Sequence, residues 1–476
     1  MPALAQTTEG PIQEVLVTAQ RTPSLASKTP VAMTVLSGAA LERSGIDSPA
    51  ALGARSPNVE LDGAADGLKI TIRGVTNADT TEKGDPSAAF MLDGIYIARP
   101  QSQNLAFYDI DRVEILRGPQ GTLYGRNTTA GAINVISNAP SARLEAAAGL
   151  EVGSYASRKA SAMFNVPLSQ ALAVRAAFAA NRHDSYLDNH QGTSHHLGLD
   201  RDDASARLSA RLALGQDAAL LLRVDHSTVN DNNDSIVPDT NFYRDVASGN
   251  PSWYDASTAA RLANGFVPPN GAPAQGFSHK DTTGVTAELN WKIGSATLSY
   301  LGGHRSFEHD FLVNYYYRVA PGFALGVREG YGGSFAQNSH ELRLATAGGG
   351  ALTAQAGLYY FKETSHAVAS FRDLELLGLP PYYVFPHGPT SSRSQALFGQ
   401  ATWRVTQALR LTAGARFTDD AKERVGSTNF QQGPAFNPAT DLALLNAAWP
   451  APAPWASTAR QPWPSPPPPW CTSPKR

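Results

Sequence analysis

The stretch Leu409-Arg410-Leu411-Thr412-Ala413-Gly414-Ala415-Arg416-Phe417-Thr418 decides the fold. Its apolar members Leu409, Leu411, Ala413, Ala415 and Phe417 interleave with Arg410, Thr412, Arg416 and Thr418. Period two sends the two sets to opposite faces of a strand. Val285, Ala287, Leu289, Trp291 and Ile293 repeat the pattern, as do Ala206, Leu208, Ala210, Leu212 and Leu214. Working outward, about eleven such segments of about 8–12 residues follow Glu145, the length a tilted membrane-crossing strand needs. Short links (Pro167–Gln170, Gly215–Ala218, Gly294-Ser295, Ala347–Gly350, Thr406-Gln407) alternate with the tiny Tyr155–Ser157 and then with long polar stretches at Arg182–Asp203, Asn230–Thr282, Phe307–Gln337 and Lys362–Ser394. A soluble β-sandwich also alternates, but its outer face is polar rather than Leu, Trp and Phe. The layout predicts an antiparallel transmembrane β-barrel with short turns on one rim and long loops on the other.

Composition narrows the function. The chain has 476 residues with a net charge of −2, which gives no basic face for nucleic acid. Charged residues are 17%, and no apolar run reaches the roughly 18 residues of a membrane helix. The single cysteine, Cys471, excludes an internal disulfide framework and a thiolate metal cluster. Residues 1–11 form a tail in which Ala3-Leu4-Ala5 has the small-x-small form of a signal-peptidase site; no charged or apolar signal region precedes it. It reads either as the residue of a secretory signal or as a chance alanine-rich start. Residues 426–476 lose the alternation. They carry Pro466 to Pro469 and four of the seven tryptophans, Trp449, Trp455, Trp463 and Trp470. Proline cannot donate to a strand ladder, so this tail is expected to be no part of a wall. A Pro-rich partner ligand is one reading; an out-of-frame segment is the preferred one.

Residues 22–140 have a different texture: short strand-like pieces between glycines, with helix signals. Ser37 is an N-cap candidate before Ala39–Arg43 with Gly45 as the stop, and Pro49 stands at a first helical position. This predicts a compact α+β domain ahead of residues 141–425, the barrel strands.

Several strings carry a resemblance. Ile72-Arg73-Gly74, Leu92-Asp93-Gly94, the run Arg112-Val113-Glu114-Ile115-Leu116-Arg117-Gly118-Pro119-Gln120-Gly121-Thr122-Leu123-Tyr124-Gly125-Arg126-Asn127, and Ala130-Gly131-Ala132-Ile133-Asn134-Val135-Ile136-Ser137 resemble the plug of a TonB-dependent outer-membrane receptor. Glu14-Val15-Leu16-Val17-Thr18-Ala19-Gln20-Arg21, within residues 12–21, resembles the TonB box. Ala396–Trp403 and Leu411–Asp420 are similar to strands of the iron-complex branch. The likeness covers about residues 12–425. It implies a plug domain in the lumen of a barrel of about 22 strands, only half of which this sequence supplies. An open half-barrel leaves unpaired edges that hydrocarbon does not tolerate, so the chain alone is expected not to transport.

What the resemblance implies about function is energised uptake of a scarce nutrient across the cell outer membrane, with a ferric siderophore foremost. A carbohydrate or another chelate, a non-functional receptor fragment and a secreted β-rich binding protein stay open. The expected partners are a TonB-type periplasmic transducer, outer-membrane lipid and the ligand; no cofactor and no protein-bound metal are implied. Val15, Leu16, Val17, Thr18 and Ala19 are β-prone and would add to a partner's sheet edge. Ligand contact is expected at apex loops Leu61–Gly67, Val75–Ala88 and Arg99–Asn104, through Asp66, Asn77, Asp79, Lys83, Arg99, Gln101 and Gln103. Tyr315 to Tyr317 and Tyr382-Tyr383 would close over it or form an outer aromatic girdle. Arg73, Gly74, Asp93, Gly94, Glu114, Arg117, Gly118, Gly121, Gly125 and Gly131 are expected to be structural in the plug. Arg73, Glu114 and Arg117 need partners among themselves or from inward wall residues such as Arg207, Arg211, Glu288, Arg410 and Arg416. Of the histidines, His183, His190, His195, His196, His304, His309, His340 and His366 share no ligand spacing and are expected mostly on solvated loops or rims. No G-x-S-x-G, H-E-x-x-H or C-x-x-C string is present, and Gly118–Gly125 lacks the lysine of a phosphate loop, so an enzyme is not expected.

Overall fold

The computed structural model describes residues 14–64, 67–103, 106–186, 198–232, 276–320, 323–346, 350–372, 382–424 and 429–430. The tail beyond 430, Asp66, His190, His195 and His196 lie outside the described residues.

The N-terminal segment makes a two-stranded ribbon of β1 (Leu16–Val17) and β2 (Ser24–Leu25). Next come β3 (Met33–Ser37), α1 (Gly38–Arg43), the hairpin β4 (Val59–Ala64) with β5 (Gly67–Ile72), then β6 (Ala88–Leu92), β7 (Ile95–Tyr96), β8 (Ile110–Arg117) and β9 (Gly131–Ser137). The Ser37 hydroxyl accepts from the Ala40 N–H at 3.3 Å, and Gly45 leaves the helix at φ +65°, the start and stop expected of α1. Five strands form one sheet in the order β3-β8-β9-β6-β7, with β6 parallel to β9. Alternation splits its side chains into two cores. Phe90, Ile115 and Ile133 pack with Leu41, Leu52 and Ile72 on one face. Met91, Leu116 and Ala132 pack on the other with Val17 of β1 and with Phe361 and Phe398 of the wall. The second face is therefore buried by the N-terminal segment and by the barrel strands.

The wall is a 13-stranded antiparallel sheet. Its meander runs β10 (Glu145–Val152), β11 (Arg158–Pro167), β12 (Leu172–His183), β13 (Arg201–Leu214), β14 (Ala218–Asp231), β15 (Phe277–Ile293), β16 (Ala296–Ala320), β17 (Phe323–Thr346), β18 (Leu352–Arg372), β20 (Thr390–Arg404) and β21 (Arg410–Arg424). Short β19 (Tyr382–Pro386) and β22 (Asn429–Phe430) branch from the far end of β18. Eleven consecutive strands is the number the alternation predicts. Along β13, Ser205, Arg207 and Ser209 are buried facing the plug while Leu208 is 55% exposed outward. The outward row continues through Phe164, Phe178, Trp291, Leu342, Leu358 and Leu397, all exposed, which is the surface a bilayer wets.

One segment departs from expectation. Phe307–Gln337 is not a loop. β16 and β17 pair without interruption from Ala296↔Thr346 to Arg318↔Ala324, and β18 extends past Lys362 to Arg372. Tyr315 to Tyr317 and Tyr382-Tyr383 accordingly belong to strands. The hairpin outgrows the apolar belt, so its outer face no longer needs Leu or Trp, and the contrast that marks a membrane strand fades while the pairing persists.

Candidate functional site

The plug's contacts begin at its turns. Arg73-Gly74 and Asp93-Gly94 are two-residue connections with positive φ at both positions, the geometry that matches strand twist in a tight hairpin. The Asp93-Gly94 turn presses on the wall, where a side chain on Gly94 would meet Leu301 at 2.8 Å. The Asp93 carboxylate accepts from the Ser137 N–H at 2.9 Å and faces Arg223 of the wall at 3.6 Å. Burial raises its pKa, but Arg223, Arg207 and the Ser137 hydrogen bonds outweigh burial and hold it below the ordinary value.

Glu114 is fully buried. It accepts from the Thr18 N–H at 2.8 Å, from Arg112 Nε at 2.8 Å and from Asn134 Nδ2 at 3.3 Å. Its partners thus lie inside the plug, and one is in the Val15–Ala19 segment. Arg117 likewise stays within the plug, donating to Thr34 Oγ1 at 2.8 Å and to the Met33 and Pro57 carbonyls. Arg73 is exposed. The expected pairing of Arg73, Glu114 and Arg117 with one another or with the wall is therefore not what forms; nearer neighbours satisfy Glu114 and Arg117. Gly118, Gly121 and Gly125 lie in the loop after β8. Gly131 opens β9 at φ +155°, where a Cβ would stand 2.1 Å from the Leu116 carbonyl oxygen.

Other residues tie plug to wall. Arg99 is clamped by Glu363, Nε to Oε1 at 2.5 Å and Nη2 to Oε2 at 2.6 Å. Gln337 accepts from the Ala98 N–H at 3.1 Å and donates to the Tyr96 carbonyl at 2.5 Å, completing the edge at β7. Arg175 binds Asp109 at 2.5 and 2.8 Å, and Asp47 meets Lys159 at 3.2 Å and Arg201 at 3.0 Å. Of the expected wall residues, Arg207 stacks over Tyr108 at 4.5 Å, Arg416 over Phe398 at 5.3 Å, and Glu288 pairs with Arg223 at 3.5 Å. Arg211 and Arg410, nearer the short turns, are exposed.

At the apex the expected residues divide. Arg99, Gln101 and Gln103 are buried; Gln101 donates to the Thr80 carbonyl at 3.0 Å and Gln103 to the Ile97 carbonyl at 2.9 Å. Asn77 braces its loop by donating to the Asp85 carbonyl at 2.6 Å. Asp79 and Lys83 are exposed. Between them Glu82, which sequence reasoning missed, turns into the wall. It accepts from the Tyr331 hydroxyl and pairs with His387 Nδ1 at 2.9 Å. Burial pushes the Glu82 pKa up, and the His387 and Tyr331 hydrogen bonds pull it below the ordinary value. Asp85 joins Arg126 at 3.0 Å and Lys422 at 3.3 Å.

Beside Glu82 stands a buried aromatic group of Phe307, Phe311, Tyr331 and Phe335. His309 lies in its midst, ring centroids 5.2 Å from Phe311 and 5.9 Å from Tyr331, with neither ring nitrogen bonded. This corrects the reading of His309 as a solvated loop residue: it sits in strand β16, in phase with Phe307 and Phe311, and faces inward. His304 and His340 occupy the outward phase of the same hairpin.

The Val15–Ala19 segment is docked rather than free. Val17 and Ala19 are buried, and Leu16↔Leu25 pairing closes the ribbon.

The fold so defined is an open antiparallel wall, with β10 and β21 as its edges among the described residues, packed against a plug sheet. The family model for the TonB-dependent receptor plug domain matches residues 26–132, and that for the TonB dependent receptor-like β-barrel matches residues 222–460, half of the chain. The chain belongs to the TonB-dependent receptor family, whose members are receptors of the cell outer membrane and not enzymes. The pesticin receptor of Yersinia pestis is 34% identical over 148 residues, covering 29% of this chain and 21% of that receptor. The ferric enterobactin receptor PirA of Pseudomonas aeruginosa is 32% identical over 83 residues, or 16% of this chain and 11% of the relative. The ferric yersiniabactin uptake receptor FyuA from Yersinia pestis superposes with a TM-score of 0.64 at 19% identity, covering 85% of this chain and 61% of FyuA. P. aeruginosa FpvA in a pyoverdine–iron complex gives 0.67 at 16% identity, covering 87% and 55%. At such identities these superpositions speak for the fold alone. The chain spans a fifth of the pesticin receptor's length and about three fifths of FyuA's.

Proposed function

We propose that this chain serves energised import of a ferric siderophore, with a TonB-type periplasmic protein as its partner and Val15–Ala19 as the segment that partner pulls. The observation that carries this reading is the Thr18–Glu114 link. It joins the segment to a fully buried carboxylate in β8, an interior strand of the plug sheet, so tension on β1 reaches that sheet directly. The chelate specificity follows the relatives, two of which are named for ferric enterobactin and ferric yersiniabactin. The ligand would meet the exposed apex residues Asp79 and Lys83, with Asn77 holding their loop and the inward aromatic group of β16 and β17 beside them. Direct iron ligation plays no part, since the cargo arrives as a chelate. Growth of a receptor-deficient Gram-negative strain carrying these residues within a barrel completed to full length, on single iron chelates and separately on oligosaccharides, tests the proposal. Chain-dependent growth on a ferric chelate is expected; growth gained only on a sugar would overturn it.

A further inference from the structure

The outward face of the wall carries a feature unrelated to the plug. Strand register places His304, Asn338, Lys362 and Arg393 side by side on β16, β17, β18 and β20. Lys362 and Arg393 are directly opposed and both exposed. Like charges directly opposite across strands are destabilising. Among the described residues neither makes an ion pair; the nearest carboxylates on that face, Asp419 and Glu423, lie diagonally on β21. A second opposed pair, Arg158↔Arg182 on β11 and β12, is relieved by Asp202 at 3.8 Å from Arg182. The Lys362–Arg393 pair has no such relief.

Two residues further toward the short turns an aromatic shelf underlies it. The Tyr300 hydroxyl meets His340 Nδ1 at 2.9 Å, and His340 stacks with Tyr360 at 6.3 Å. Below the shelf an open groove of about 660 Å³ runs over Leu342, Leu358, Leu397 and Phe417. Paired cations above an aromatic collar, above an apolar channel, follow the order of a phosphate, a glycerol or sugar backbone, and an acyl chain in a bilayer leaflet.

We propose that Lys362 and Arg393, flanked by His304, bind the phosphate of an anionic lipid in the outer leaflet, its acyl chain lying in the Leu342–Leu358–Leu397–Phe417 groove. The site lies on the outside of the wall and does not depend on the transport reading. The phosphate supplies the missing counter-charge, and the aromatic shelf fixes its height.

Native mass spectrometry of the detergent-purified full chain tests this, with dimyristoyl phosphatidate as the probe, dimyristoyl phosphatidylcholine as the zwitterionic control and inorganic phosphate as competitor. Two basic side chains near a lipid surface correspond to about 25-fold preference for the phosphatidate, or about 2 kcal/mol at one factor of ten per 1.4 kcal/mol. Lys362→Gln with Arg393→Gln should bring the preference close to one. Arg158→Gln with Arg182→Gln, an equal loss of charge elsewhere on the face, should leave it intact. Lys362→Arg with Arg393→Lys, which keeps both charges, should also retain it. The proposal fails if the preference survives the Gln pair at 362 and 393, if the Arg158/Arg182 pair abolishes it equally, or if equimolar inorganic phosphate displaces the lipid.

Discussion

Replacing Glu363 by Gln isolates the clamp that holds the plug apex to the wall. Arg99 and Glu363 are joined by two hydrogen bonds of 2.5 and 2.6 Å, and their side chains are only 7% and 5% exposed. Removing one charge of a buried pair costs about 3–5 kcal/mol, because the other remains desolvated without its partner. Glutamine keeps one acceptor and Arg99 keeps a 3.3 Å bond to the Thr81 carbonyl, so the lower figure applies. About 3 kcal/mol is a roughly 150-fold change in an opening equilibrium at 1.36 kcal/mol per decade. Hydrogen exchange on the purified chain reads it at the Ile97, Ser102 and Gln103 amides, which are bonded to Phe90, Arg99 and Pro100 carbonyls. Arg99→Met with Glu363→Met should recover most of the protection, since an apolar pair of similar volume replaces a buried ion pair at little cost. Protection unchanged within about threefold in Glu363→Gln, or a double variant as labile as the single one, would refute the reasoning.

Other outcomes follow from the same contacts. Glu114→Ala removes the acceptor of the Thr18 N–H and leaves Arg112 without its buried partner; a spin label at residue 15 should gain a mobile population by about tenfold or more, as loss of a charge-assisted bond costs about 1.5–3 kcal/mol. Gly131→Ala forces a Cβ onto the Leu116 carbonyl at a strained φ, and should cost at least about 2 kcal/mol in denaturant titration. Asp47, Asp93 and Glu82 each titrate below the ordinary carboxylate range in the folded plug, burial being outweighed by cationic or hydrogen-bond partners. Groups with depressed values contribute stability above their unfolded pKa of about 4 and lose it as pH falls through the folded value. Plug stability should therefore be level above about pH 5 and fall below about pH 4, with a shallower acid slope in Asp93→Asn.

The wall was legible because a strand's period is two and a bilayer demands an apolar outer face; β13, β15 and β21 carry that signal without interruption. The α1 cap at Ser37 and the stop at Gly45 were legible because both are local. The β16–β17 hairpin was not, since beyond the bilayer the outer face is free to be polar and Phe307, His309 and Phe311 signal only the inner one. The plug–wall contacts were legible least. Glu82 and His387 are 305 positions apart in sequence, and nothing in Thr81-Glu82-Lys83 distinguishes the buried carboxylate from its exposed neighbours. Arg99, Gln101 and Gln103 read as ligand donors because they are polar in an apex loop, whereas the structure spends their hydrogen bonds on Glu363, Thr80 and Ile97. The parity of Glu363 with buried Phe361 and Ser365 was the available clue to its inward position.

The central claim is that force on the N-terminal segment drives import through the plug. Uptake of a radioiron-loaded siderophore by cells carrying these residues within a barrel completed to full length, measured with and without a protonophore and again with Leu16→Pro, tests it most directly. Proline at Leu16 cannot donate to an added strand, so partner docking by strand addition is lost while the inner face of the plug sheet is untouched. The account predicts accumulation that the protonophore and Leu16→Pro each abolish. Accumulation that persists under both would contradict it.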